Sequence, residues 1–134
     1  MWAVTIEHNG AVYFASFSLD GKSVLATSLD GTAIVKNLET GNEIKIKHNG
    51  AVRSAFFSPD GKSVITASKD ATAIVKNLET GNEIKIKHEG TVISASFSPD
   101  GKSVITASLD GTAIVKNLET GNEIKIERNC SHLS

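Results

Sequence analysis

The sequence predicts an all-β chain built from three copies of one antiparallel unit of four strands, and three observations carry that expectation. First, His8, His48 and His88 stand 40 residues apart, and Gly10, Gly50 and Gly90 follow them two positions on. Aligned on these histidines, the second and third copies agree at 33 of 40 positions, and the first agrees with either at 31. Second, turn chemistry recurs every ~8 to 12 residues, which is the rhythm of short strands joined by tight reversals. Third, Ser, Thr, Val, Ile and Gly dominate each copy, and no window shows the apolar period of a helix.

Taken in order, residues 1–7 contain Val4-Thr5-Ile6-Glu7, which aligns with Ile44-Lys45-Ile46-Lys47 and predicts one extra outer strand. The three copies then occupy 8–47, 48–87 and 88–127, and the tail 128–134 matches no repeat and is expected to fray. In the second copy the strands are expected at 52–57, 63–68, 72–76 and 83–87. The first reversal is Ser58-Pro59-Asp60-Gly61, where Pro presets the first turn position and Gly accepts a positive φ. The second is Asp70-Ala71, matched by Asp30-Gly31 and Asp110-Gly111, and the third is Leu78-Glu79-Thr80-Gly81-Asn82. The Ala73-Ile74-Val75 run is apolar on both faces and belongs inside a sheet. Ile84 and Ile86 alternate with Glu83, Lys85 and Lys87, as expected of an outermost strand whose edge is blunted by charge.

Composition narrows the partners. The chain has 134 residues, a formal net charge of -1 and 22% charged residues spread along its length, so it carries no electrostatic footprint for nucleic acid or an anionic membrane. No apolar run approaches the roughly 18 to 20 residues needed to span a bilayer. The first nine residues lack a basic start and an apolar core, which leads us to expect a cytoplasmic protein. A single cysteine, Cys130, cannot form an intrachain disulfide.

The units resemble WD repeats, the four-stranded blades of β-propellers, over about 127 of the 134 residues. The resemblance rests on four features. His-x-Gly stands in place of the family's Gly-His, and Phe-Ser-Pro-Asp-Gly occurs at 57–61 and 97–101. Ser-x-Asp occurs at 28–30, 68–70 and 108–110, and the Leu-Glu-Thr-Gly turn follows. It departs from the family at Lys36-Asn37, Lys76-Asn77 and Lys116-Asn117, where the family carries Trp-Asp. The resemblance implies a structural network in each blade. Its members are His8, Ser28, Asp30 and Lys36 in the first, His48, Ser68, Asp70 and Lys76 in the second, and His88, Ser108, Asp110 and Lys116 in the third. Since a lysine stem packs apolar surface while its ammonium seeks an anion, we expect Lys76 to take the place of the indole donor by reaching Ser68 or Asp70.

Other chemistry is weighed against that reading. A histidine, a serine and an aspartate in each copy suggest a catalytic triad, but a set that occurs three times and matches the family's network points to structure. The three histidines are expected far from any common axis, which argues against a shared metal. Gly-Lys-Ser at 21–23, 61–63 and 101–103 lacks the phosphate-binding loop's earlier glycine and precedes a hairpin rather than a helix. No catalytic residue, cofactor or metal is therefore assigned.

Because the copies are so alike, the positions where they differ are informative. Tyr13, Arg53 and Ile93 open the first strand, Leu29, Lys69 and Leu109 precede the turn aspartate, and Asn9, Asn49 and Glu89 adjoin the histidine. In WD-repeat propellers such positions lie on the face that binds peptides and proteins, so Tyr13, Leu29, Arg53, Lys69, Ile93 and Leu109 resemble a partner-binding surface. Three blades fall short of the roughly four to eight of a closed ring, so the resemblance implies a non-enzymatic scaffold completed by self-association. Two chains make a dimer of six blades and three make a trimer of nine, with a slight preference for the trimer on blade angle. The alternative is a purely structural repeat fragment or man-made array with no ligand.

Overall fold

The structure, a computed structural model, describes residues 5–127, and among them lie twelve strands and no helix. Strands β1 (Val12–Phe17), β2 (Ser23–Ser28), β3 (Thr32–Asn37) and β4 (Glu43–Lys47) pair antiparallel in that order. The second sheet contains β5 (Val52–Phe57), β6 (Ser63–Ser68), β7 (Thr72–Asn77) and β8 (Glu83–Lys87). The third contains β9 (Val92–Phe97), β10 (Ser103–Ser108), β11 (Thr112–Asn117) and β12 (Glu123–Glu127). In each sheet the Ala-Ile-Val strand is paired on both sides and the lysine-bearing strand lies at an edge.

Local chemistry explains each reversal. Between β5 and β6, Asp60 Oδ1 accepts hydrogen bonds from the Ser58 hydroxyl at 2.6 Å and the Lys62 N–H at 2.9 Å, while Gly61 takes φ 74°. Between β7 and β8, Asn77 Oδ1 accepts from the Glu79 and Thr80 N–H groups, both at 2.9 Å. Asn77, in the place of the family's aspartate, therefore serves as the acceptor that turns the chain, and β7 runs one residue past the expected end at Lys76. A β-bulge breaks the register of each first strand, leaving Tyr13, Arg53 and Ile93 without a cross-strand partner.

Alternation gives each sheet two faces, and the sheets stack face to face in chain order. Leu25, Ala33, Val35, Ile44 and Ile46 of the first sheet meet Val52, Ala55, Phe57, Val64 and Ile74 of the second. Ile65, Ala67, Val75, Ile84 and Ile86 of the second meet Val92, Ala95, Phe97, Val104 and Ile114 of the third. The second sheet thus presents one face to the sheet before it and the other to the sheet after it, and the corresponding faces of every sheet are termed leading and trailing.

The expected opening strand is not paired in this chain: residues 5–7 join no sheet, and Val4 lies outside the described residues. Thr5 instead offers its carbonyl to Lys36 Nζ at 3.2 Å. The tail 128–134, with Cys130, also lies outside the described residues.

Candidate interaction surface and histidine networks

His48 follows β4 and ties three parts of the fold together. Its N–H donates to the Gly31 carbonyl of the preceding sheet at 2.7 Å, and its buried ring reaches into the second sheet. There Nδ1 lies 3.0 Å from Asp70 Oδ2 and Nε2 2.7 Å from the Thr66 hydroxyl. A carboxylate can only accept, so Nδ1 carries the proton and Nε2 accepts from Thr66. Asp70 Oδ1 takes the Thr72 hydroxyl at 2.6 Å and N–H at 2.9 Å, and its Oδ2 also accepts the Asn49 N–H. His88 repeats the pattern with Asp110 at 3.3 Å, Thr112 at 3.0 Å and Thr106 at 2.7 Å.

These surroundings shift the titration of His48 and of the three turn aspartates. Burial holds the His48 ring below the usual imidazole range, against the opposing pull of Asp70. Burial pushes the Asp70 carboxyl up, but the Thr72 hydroxyl, the Asn49 N–H and His48 outweigh it and lower it to about 2. Asp30 and Asp110 are also held well below the carboxylate range. For Asp30, burial is overcome by the Thr32 hydroxyl and the Asn9 N–H, and for Asp110 the Thr112 hydroxyl is the main cause.

Two parts of the expected network need correction. The hydroxyl that meets the histidine ring is Thr66, not Ser68. Ser68 Oγ lies 3.0 Å from the Gly50 and Ala51 carbonyls and accepts the Asp70 N–H, so it braces the turn behind the ring. Lys76 does not reach Ser68 or Asp70. It faces Glu83 across the β7–β8 ladder and its Nζ donates to Glu83 Oε2 at 3.1 Å, as Lys36 pairs with Glu43 and Lys116 with Glu123. A lysine stem from this register reaches its direct cross-strand carboxylate more readily than a turn at the far end of the strand.

The first sheet departs from the other two. His8 Nδ1 keeps the Thr32 hydroxyl at 2.8 Å and lies 3.4 Å from Asp30, but among the described residues its buried Nε2 has no partner, and neither has the buried Thr27 hydroxyl. The cause is a transposition: Ala26-Thr27 stands where the other copies have Thr66-Ala67 and Thr106-Ala107. Adjacent strand residues face opposite ways, so the exchange carries the hydroxyl to the wrong side of the sheet. Comparing the three copies residue by residue shows this signal in the sequence itself.

Three of the positions that differ between copies, those of Tyr13, Leu29 and Asn9 with their equivalents, gather on one rim. The Leu29, Lys69 and Leu109 N–H groups donate to the Ala11, Ala51 and Thr91 carbonyls at 2.9 Å, which sets each beside the start of an inner strand. Leu29, Lys69, Leu109, Tyr13 and Ile93 are exposed, Arg53 is half-buried, and Asn9, Asn49 and Glu89 are exposed beside their histidines. The bulges turn Tyr13 and Arg53 toward each other, with the guanidinium carbon 5.7 Å from the ring centre, a cation–π contact. At the opposite end of the same inner strands, a cleft of about 460 Å³ lies among Phe17, Leu19, Phe56, Phe57, Pro59 and Phe97.

No curated protein matches the chain as a relative. The sequence model of the WD domain, G-beta repeat, matches it at residues 3–35, 41–75 and 81–115. Three matches that together cover most of the chain, each ending in the third strand of one of the three four-stranded sheets, show that it belongs to the WD-repeat family.

Proposed function

We propose that the chain is a non-enzymatic scaffold that binds a protein or peptide on the rim of Tyr13, Leu29, Arg53, Lys69, Ile93 and Leu109, and that copies of itself complete its propeller. Family membership supports the first half, since WD-repeat proteins are generally protein-interaction scaffolds. The histidine sets of the second and third sheets support a structural rather than catalytic role, because both ring nitrogens and the carboxylate of each are occupied by hydrogen bonds that hold their own sheet. An apolar, partly aromatic rim with a few charges suits a peptide with one or two apolar anchors and a carboxylate for Arg53.

The observation that carries self-completion is the contrast between inner and outer faces. Val12 is 53% exposed whereas its equivalents Val52 and Val92 are fully buried, and Ile126 is 54% exposed whereas Ile46 and Ile86 are fully buried. Burying both end faces takes two chains in a six-blade ring or three in a nine-blade ring.

The rim is tested by selecting peptides from a displayed library on the wild-type chain and measuring their affinity for a Leu29→Asp/Leu109→Asp variant. Selected peptides should bind the wild type and lose at least tenfold on the variant. Equal affinities for both proteins would remove the rim from the function.

A further inference from the structure

We infer that the contact between copies is polar: the trailing face of the third sheet of one copy receives the leading face of the first sheet of the next. This rests on the self-completion reading and specifies its surfaces. Val12, Ala15, Phe17, Val24 and Ile34 of the leading face are the same residue types as those 40 and 80 positions later. Those later residues make the leading halves of both internal junctions. Ile105, Ala113, Val115, Ile124 and Ile126 of the third sheet likewise repeat the trailing half supplied by the second sheet, 40 positions earlier.

The two end faces, open in the single chain except at the buried Ile34, are therefore the two halves of a junction the chain already makes twice within itself. Phe17 is 69% exposed and Ile124 65% exposed, while their counterparts Phe57, Phe97, Ile44 and Ile84 all pack against a core cluster. Ala26 is the one leading-face difference beside this seam, where the other copies carry the threonine that meets the histidine ring.

Pairing of like faces does not reproduce this fit. Two trailing faces would set isoleucine against isoleucine with no phenylalanine between them, and would leave two leading faces in water. A head-to-tail seam is heterologous, so each copy spends one face of each kind and a ring closes without remainder.

The test uses Phe17→Glu and Ile124→Glu, each at a position exposed in the single chain, so that folding is retained and is checked by circular dichroism. The wild type is measured alongside by light scattering. Each variant alone should run at the single-chain mass, because it has lost one half of every seam. An equimolar mixture should double that mass and go no further, since one intact trailing face meets one intact leading face while the other ends carry like charges. An oligomer formed by either variant alone would show like-face pairing and overturn the polarity while leaving self-completion standing. A mixture that stays monomeric while the wild type assembles would also overturn it. A monomeric wild type would sink both.

Discussion

Ala26 and Thr27 show how finely the fold depends on which way a single side chain points. Their transposition leaves His8 Nε2 and the Thr27 hydroxyl buried and unpaired, and each such group costs about 1–3 kcal/mol. Exchanging the two residues, Ala26→Thr with Thr27→Ala, should restore the bond made at Thr66 and Thr106 and stabilise the protein by about 2 kcal/mol. A rise in the melting midpoint checks this, and an unchanged midpoint would mean that the first sheet has relieved the defect by other means. The networks also make stability depend on pH. Burial lowers the His48 pKa from its unfolded value of 6.5, so the unfolded chain binds the proton more readily. The stability from neutral His48 is thus complete above pH 6.5 and falls as pH drops from there toward the lowered value. A second loss follows as Asp70 protonates between its unfolded value of 3.8 and about 2. Urea midpoints at pH 7.5 and 5.5 should fall in that order, and His48→Gln should flatten the difference. The histidine and aspartate were legible in the sequence. Thr66 was not, because it and Ser68 stand two apart on β6 and face the same side, so alternation alone does not tell which hydroxyl meets the ring. Lys76 misled because its place in the family motif says nothing of the carboxylate directly across the ladder.

Among the elements, the hairpin between β5 and β6 holds its geometry with two residues. Asp60 accepts two hydrogen bonds that fix the turn, and Gly61 sits at φ 74° with open space where a side chain would go. A substitution at Gly61 therefore suffers from backbone strain alone, roughly 1–2 kcal/mol for an L-residue and more for a β-branched one. Asp60→Ala should cost about 1 kcal/mol and Gly61→Val at least ~2 kcal/mol, while Lys62→Ala at an exposed side chain should stay within about 0.5 kcal/mol. Equal shifts in denaturation midpoint for all three would remove the turn from its organising role. Strands and turns of this kind were readable because period-two alternation and turn chemistry are local properties. The bulges at Tyr13, Arg53 and Ile93 were not readable, since an extra residue in one strand shows itself only against the register of its partner.

At the scale of the molecule, the stacking of sheets follows from a sequence that repeats both halves of the same interface. Within the chain those halves meet twice, and at its ends Val12, Phe17, Ile105, Ile124 and Ile126 stand in water. Burying each such side chain yields about 1.5–3 kcal/mol, so one seam gains roughly 7–15 kcal/mol before costs. Association costs about 4–15 kcal/mol, a cost that one seam covers with a modest surplus. A closed ring does better, because its last seam forms within an assembly already held together. The number of blades per chain was legible by counting repeats, whereas the number of chains depends on the angle between sheets, which no local pattern encodes. The most direct measurement is the solution mass by light scattering across a hundredfold dilution. A chain of 14.1 kDa that completes itself runs at about 28 kDa as two copies or about 42 kDa as three, and keeps that mass on dilution. A folded species that stays at 14.1 kDa throughout would contradict the account.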